Sequence, residues 1–190
     1  MSEYTSAADY VNVEALIQLR NFLYINSDIV KEHLDMSGFC SEGDTMQDSA
    51  EAVDGIMNKN NCGTTMCLAG WASTIPSLRK AFAELDMPAG TRQDIVYFSY
   101  MAFFPERDYC NSIWDYLFSD LWDNDLDHGL QRINTIVDAA RNEDLDTLEY
   151  FKVYGQELAL AVSSTAIYPD NDCVFERYSR EELQDEGVDV

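Results

Sequence analysis

Basic residues are scarce in this chain. Its 190 residues include 12 lysines and arginines against 35 aspartates and glutamates, which gives a formal net charge of -23. A surface of this sign repels the phosphates of nucleic acids and of anionic membranes, so direct binding to DNA, RNA or lipid is disfavoured. The chain also lacks an apolar run of about 18 residues and a basic, then apolar, amino terminus, so we expect a soluble cytoplasmic protein.

Cysteine and histidine are too few and too scattered to predict a disulfide framework or a metal centre. The cysteines form an odd number at irregular spacing, which is typical of reduced thiols: Cys40, Cys62, Cys67, Cys110 and Cys173. Cys62 and Cys67 have the spacing of half a zinc site, but no second cysteine or histidine pair completes four ligands. We therefore expect no metal and no cofactor. A cysteine nucleophile assisted by His33 or His128 is the alternative to buried packing cysteines.

The chain does contain one dense motif, from Asn61 to Ala72. Its residues are small, sulfur-containing or aromatic, and we interpret the following as a structural motif: Cys62, Gly63, Thr64, Cys67, Gly70 and Trp71. Thr64 is a good N-cap, so the pattern predicts a helix over residues 65–74. The small residues on this helix let another element approach closely, which is typical of a buried central helix.

Together with Leu34-Asp35-Met36, this motif resembles a widespread family of proteins from tailed phages and some bacteria. The family pattern is F-[DN]-M, a variable spacer, C-G-T-x-x-C-x-x-G-[HW]-A, and a short apolar helix ending in L-F or F-F before a proline. The last part corresponds here to Phe103-Phe104-Pro105. Leu34 replaces the usual aromatic residue, and Trp71 stands where histidine is common, which argues against a metal ligand there. The resemblance implies a phage or similar mobile element as the source, and no established activity comes with it.

Apolar residues recur at helical spacing through most of the chain. The pattern predicts helices at about residues 9–24, 48–57, 65–74, 76–85, 91–103, 113–121, 129–141 and 144–161. The predicted caps are Asp48, Thr91 with Asp94, and Asp127, while Pro76 suits a first helical position. These elements predict a mainly α, single-domain, irregular bundle of about six to eight helices over residues 1–178, with one short extended segment near residues 34–39. Residues 179–190 are expected to form a mobile acidic tail.

Negative charge is concentrated in the second half of the chain. Residues 111–190 contain 19 acidic and 5 basic residues, whereas residues 61–110 contain 5 and 4. Asp120, Asp123 and Asp127 have helical spacing beside an apolar stripe of Trp114, Phe118 and Leu121, so their carboxylates are predicted to point outward. We predict one continuous partner-binding face, formed by Asp115, Asp120, Asp123, Asp125, Asp127, Glu143, Asp144 and Asp146.

Residues 123–134 begin like a calcium-binding EF-hand loop, with acidic residues at positions one, three and five. They lack the glycine that such a loop needs at position six and the glutamate at position twelve. Calcium binding is therefore not expected. A turn between two helices is the simpler interpretation.

These observations favour binding over catalysis. The expected function is that of an acidic, phage-encoded accessory protein that binds and inhibits a basic host protein, one that handles nucleic acid or serves in defence. An array of carboxylates spaced like phosphates would occupy the basic groove of such a partner, as a DNA mimic does. The alternative functions are a non-catalytic structural or accessory virion protein and a thiol- or metal-dependent enzyme. The simplest explanation of the negative charge is that it serves solubility alone.

Overall fold

The computed structural model describes residues 4–37, 65–85, 94–105 and 112–165, together with Gln47, Glu51, Val53 and Ile56. Within these residues the chain forms eight α-helices and one 3-10 turn, and no strand. In chain order they are the turn Ala7–Asp9, α1 (Val13–Ile25), α2 (Ser27–His33), α3 (Leu68–Ser73), α4 (Pro76–Ala83), α5 (Ile95–Phe103), α6 (Ser112–Phe118), α7 (Leu126–Arg141) and α8 (Leu145–Thr165). The predicted mainly helical fold class is confirmed.

Side-chain caps decide where two of the helices begin. The side chain of Asn12 accepts a hydrogen bond from the N–H of Ala15, so α1 begins at Val13 and not near Asp9. The carboxylate of Asp9 instead accepts from the N–H groups of Thr5 and Ser6, each at 2.8 Å, in the preceding 3-10 turn. Similarly, Asp94 caps α5 by accepting from the N–H of Tyr97. Thr91 lies outside the described residues.

Helix ends agree more closely with the sequence pattern. Pro76 is the first residue of α4, and α5 ends at Phe103, two residues before Pro105. The sixth helix ends at Phe118, so Leu121 lies beyond it, and α8 continues four residues past the predicted end at residue 161. In the region predicted as helix 48–57, Glu51, Val53 and Ile56 are helical. The rest of that region and the predicted tail 179–190 lie outside the described residues.

Two pairs of packed helices position the acidic side chains described below. The first packs α6 against α8, and the second packs α1 against α7. Between these pairs lies α3, whose six residues are all buried. Large side chains from several helices share one apolar core, with the following among the most completely buried: Leu16, Leu68, Trp71, Ile95, Phe98, Phe103 and Phe118. This core removes the apolar faces of the helices from water, which is the main source of stability for a bundle of this kind.

Candidate functional site

Leu34 and Met66 pair as a parallel bridge. The N–H of Asp35 donates to the carbonyl of Met66 at 3.0 Å, and the N–H of Met66 donates to the carbonyl of His33 at 2.9 Å. The extended segment predicted near residues 34–39 therefore exists at its start, and residues 38–39 are outside the described ranges. Through this bridge, the Leu34-Asp35-Met36 segment and the cysteine motif lie side by side although they are far apart in the sequence.

The carboxylate of Asp35 links this bridge to the loop between α6 and α7. It accepts from the N–H of Ser37 at 3.0 Å, from the hydroxyl of Ser37 at 2.7 Å and from the hydroxyl of Thr65 at 3.5 Å. The bonds from Ser37 are the main reason that the pKa of Asp35 lies below its ordinary value, and the side chain of Asn124 adds to the effect. Asn124 also accepts from the N–H of Met36 at 2.7 Å. Three distant segments therefore meet around one ionised carboxylate.

Cys67 is the N-cap of α3, which corrects the predicted start of this helix. Its sulfur accepts from the N–H of Gly70 at 3.5 Å, and its side chain is buried. The helix begins at Leu68, not at residue 65, because Thr65 and Met66 continue the extended backbone that pairs with Leu34. A buried thiol that already accepts a backbone hydrogen bond is a packing group rather than an exposed nucleophile.

Trp71 is the largest of the fully buried side chains in the described residues. Its ring lies 6.2 Å from that of Phe22, measured between ring centroids, so α3 packs directly against α1. Within the described part of the chain, the indole N–H of Trp71 has no hydrogen-bond acceptor. Gly70 is buried beside it, whereas Cys62, Gly63 and Thr64 lie outside the described residues. The described members of the motif thus lie in the core and offer no exposed functional group.

Four of the predicted partner-binding carboxylates lie together between α6 and the first turn of α7. We call this group the acidic loop: Asp120, Asp123, Asp125 and Asp127, all exposed. Asp120 and Asp123 lie outside any helix, so the predicted helical spacing of this group is wrong. The chain between the two helices is a turn whose geometry is set by side-chain hydrogen bonds, and the carboxylates point outward because of that turn.

Hydrogen bonds hold three members of the acidic loop in place. Asp125 accepts from the N–H of Asp127 at 2.8 Å and is the N-cap of α7, so the predicted cap Asp127 is wrong and the helix begins at Leu126. Asp123 lies 2.7 Å from the ring Nδ1 of His128, and Asp127 forms an exposed ion pair of 3.2 Å with Lys31. Because residues 126–134 are helical, the EF-hand resemblance has no structural counterpart.

Arg132 lies beneath the acidic loop and was not anticipated from the sequence. It is buried, and its guanidinium lies 4.3 Å from the centre of the Trp122 ring, a cation–π contact. Burial lowers the pKa of Arg132 to about 10, while the nearby charges of Asp123 and Asp125 oppose that shift. A positive charge under the loop therefore favours a turn that brings several carboxylates together. The sequence signal was an arginine within the apolar stripe of α7, between Leu130 and Ile133.

The remaining predicted site residues lie elsewhere. Glu143, with a left-handed φ of 51°, accepts from the N–H of Ala7 at 2.9 Å, and Asp144 accepts from the N–H and hydroxyl of Thr147 at the start of α8. Those bonds from Thr147 lower the pKa of Asp144. Asp146 is exposed nearby. This group is separated from the acidic loop by the 16 residues of α7, about 24 Å of helix, so the structure places the acidic residues in two groups.

Asp115 belongs to neither group. It lies on α6 and is only partly exposed, and burial raises the pKa of its carboxyl. A carboxylate in this position is partly desolvated, which weakens its contribution to a solvent-facing negative surface. The predicted continuous face of eight acidic residues is therefore reduced to the acidic loop and the separate group at residues 143–146.

Other parts of the described chain offer no comparable candidate site. A shallow cleft of about 300 Å³ lies between the start of α1 and the end of α5. None of its lining residues is titratable, and they are Ala8, Val11, Asn12, Val13, Met101, Ala102, Phe104 and Pro105. Among the same residues, no cluster of three or more histidines, cysteines or acidic residues has a geometry that could hold a metal. None of the described helices is long and apolar enough to cross a membrane. The acidic loop is therefore the best-defined candidate site.

Comparison of the chain with protein-family models, with curated proteins and with solved structures found no match. The function is therefore inferred from the charges and geometry described above.

Proposed function

We propose that this protein acts by binding a basic protein partner through the acidic loop. The observation that carries the proposal is the charge imbalance of the surface around it: residues 112–165 contain 11 acidic residues and only three basic ones. Of those three, Arg132 is buried and Lys152 lies over the ring of Tyr4, with 3.2 Å between its Nζ and the ring centre. Few exposed cations are left to neutralise the carboxylates, so the potential outside this surface is negative.

A negative surface selects the class of partner. It repels nucleic acid and attracts proteins with basic grooves, among which proteins that bind nucleic acid are the most common. The resemblance to phage proteins then suggests a phage-encoded accessory protein that inhibits a host protein of this kind or a basic component of host defence, in the manner of a DNA mimic. The buried position of Cys67 disfavours this residue as the nucleophile of a thiol enzyme, because a nucleophile must reach its substrate.

The experiment compares three variants that remove the same number of charges. The first carries Asp120→Asn, Asp123→Asn and Asp125→Asn; the asparagine at 125 keeps the capping oxygen of α7, so the fold should be retained. The second carries Glu143→Gln, Asp144→Asn and Asp146→Asn. The third changes exposed acidic residues elsewhere in the described chain: Glu14→Gln, Asp28→Asn and Glu84→Gln. Each tagged protein is used to capture partners from a lysate of the bacterial host, and its melting temperature is measured as a check on folding.

We expect the first variant to lose a partner that the unmodified protein captures, and the third variant to retain it. We also expect capture to weaken steeply as salt is added, because the Debye length falls from about 10 Å at 0.1 M to about 3 Å at 1 M. The purified partner should lose duplex DNA binding when this protein is added. Capture that is insensitive to salt, equal loss in all three variants, or a partner that binds DNA equally well in its presence would each contradict the proposal.

A further inference from the structure

The last helix has two apolar faces. On one face, Leu148, Phe151, Gly155 and Ala159 are buried against the rest of the bundle. The packing on this side is very close, because a Cβ added at Gly155 would collide with the backbone carbonyl of Ser112 on α6. A helix at the surface of a globular protein normally has charged and polar residues on its opposite face. The outer face of α8 departs from this rule in part, because it also carries exposed apolar side chains.

The outer face of α8 carries a row of exposed apolar side chains. Tyr150 is 46% exposed, Val153 52%, Tyr154 44% and Leu160 52%. At about 100° per residue, these four positions lie within a stripe about 120° wide. The rings of Tyr150 and Tyr154 lie 5.2 Å apart, measured between centroids, so they form a single aromatic surface. Leu160 lies further along the same stripe, beyond Glu157. Neighbouring exposed apolar side chains, such as those of the two tyrosines, mark an interaction site more often than isolated ones do.

Two carboxylates lie on the same stripe. Asp146 precedes Tyr150 by one turn of helix, and Glu157 lies between Tyr154 and Leu160; both are exposed. Eleven residues separate them, which corresponds to about 16 Å along the helix axis. The face therefore combines an apolar centre, in which tyrosine is a residue type typical of binding hot spots, with negative charge at two points along it.

The charge on this face decides between two possible occupants. A second copy of the chain would bring its own net charge of -23 and, in a symmetric pairing of the two α8 faces, more carboxylates against Asp146 and Glu157. A basic helix would instead bury the apolar stripe and neutralise both carboxylates. Charge complementarity thus favours a basic partner over self-association.

We propose that the outer face of α8 binds an amphipathic helix of a basic partner, with apolar residues along one side and lysines or arginines about three turns apart. The helix would lie along Tyr150, Val153, Tyr154 and Leu160 and pair its cations with Asp146 and Glu157. Recognition of this kind uses apolar anchors at helical spacing, with charge to set the orientation. This proposal rests on the proposed function in one respect, the basic character of the partner. It adds a second binding surface, whose centre is apolar.

The test uses the full-length protein and a labelled helical peptide of about 18 residues, five turns, with leucines on one side and lysines on the other. A matched peptide has serine in place of each leucine and the same charge. Binding is followed by fluorescence anisotropy. The key variant is Val153→Ser with Tyr154→Ser, and its control is Tyr24→Ser with Ile25→Ser, which removes the same kinds of side chain, 49% and 83% exposed, from the end of α1. Circular dichroism and sedimentation check the fold and the oligomeric state.

We expect the key variant to weaken binding of the leucine–lysine peptide about tenfold or more, as loss of a central aromatic anchor commonly does, and the control to change it by less than about twofold. Glu157→Gln should weaken binding moderately and make it less sensitive to salt. The serine peptide should bind weakly to the unmodified protein.

Four results would overturn the inference. The first three are no binding of the leucine–lysine peptide, equal binding of the serine peptide, and equal loss of binding in the key variant and its control. The fourth is a dimer in solution that is lost in the key variant, which would identify a second copy of the chain as the occupant. The acidic-loop variant distinguishes this failure from failure of the proposed function. If partner capture still depends on Asp120, Asp123 and Asp125 but not on Val153 and Tyr154, the proposed function stands and the α8 surface is not part of it.

Discussion

The backbones of Leu34 and Met66 are paired, and this pairing joins the Leu34-Asp35-Met36 segment to the segment that contains the cysteine motif. One hydrogen bond of this pairing is donated by the N–H of Asp35. The carboxylate of Asp35 in turn accepts hydrogen bonds from Ser37 and Thr65. The pairing holds the start of the buried helix α3 against the chain that follows α2. Among the described motif residues, Cys67, Gly70 and Trp71 are buried, whereas the carboxylates of the acidic loop and the outer side chains of α8 are exposed.

Replacement of Asn124 tests the link between this bridge and the acidic loop. Asn124→Ala leaves the N–H of Met36 without its acceptor at 2.7 Å, and we expect it to lower the free energy of unfolding by about 1–3 kcal/mol. Hydrogen exchange at the Met36 amide should become faster than in the unmodified protein. Asn142→Ala, at an exposed asparagine after α7, is the control. An unchanged exchange rate at Met36 would mean that this hydrogen bond does not hold the loop.

Two helical glycines provide a matched test of close packing. Gly155→Ala places a Cβ against the carbonyl of Ser112, which cannot move without shifting α6, so we expect a loss of about 1–3 kcal/mol. Gly129→Ala places a Cβ 3.2 Å from the Cδ1 of Leu68, the end of a flexible side chain. There the gain in helix propensity, up to about 1 kcal/mol, should offset most of the strain.

Melting temperatures of both glycine variants are the measurement. For a chain of this size, about 1 kcal/mol corresponds to about 2–4 °C. A larger loss at Gly129 than at Gly155 would show that α6 and α8 are not as close as described.

The buried indole of Trp71 predicts unequal effects of two substitutions. Trp71→Ala should cost roughly 3–5 kcal/mol, because it leaves a large cavity between α3 and α1. Trp71→Phe should cost only about 1–2 kcal/mol, since it also removes an N–H that has no acceptor among the described residues. Urea unfolding measures both values. Equal losses would indicate that the indole N–H makes a stabilising hydrogen bond.

Two tyrosines should make stability fall at alkaline pH. Burial, with a hydrogen bond to Glu149 in the case of Tyr10, raises the pKa values of Tyr10 and Tyr116 from 10.0 to about 12. Between these values the unfolded chain releases protons that the folded chain keeps, so the free energy of unfolding decreases as pH rises from about 10 to about 12. We expect Tyr10→Phe and Tyr116→Phe each to make this decrease smaller.

The measurement is urea unfolding at several pH values between about 9 and 12. Arg132 acts in the opposite direction over part of this range, because its folded-state pKa of about 10 lies below its ordinary value. For that reason each variant is compared with the unmodified protein at the same pH. Identical pH profiles for all three proteins would contradict the prediction.

The fold class could be predicted from the sequence because helices depend on local information. Apolar spacing marked most of the helices, and Pro76 and Pro105 marked a start and an end by removing a backbone donor and restricting the chain before it. Helix starts were predicted less well. At Asn12, Asp125 and Cys67, several nearby side chains could have served as the cap, and the one that does is selected by contacts with the rest of the molecule.

The candidate site required the tertiary structure. By itself, the sequence determined the sign of the surface and its concentration in the second half, since composition alone sets net charge. It did not determine which carboxylates lie together, because α7 separates the acidic loop from residues 143–146 and burial partly removes Asp115 from the surface. The exposed face of α8 was decided in the same way, because both of its sides carry large apolar residues. Close packing, such as that of Gly155 against Ser112, places one side in the core, while Tyr150, Val153 and Tyr154 on the other side stay exposed.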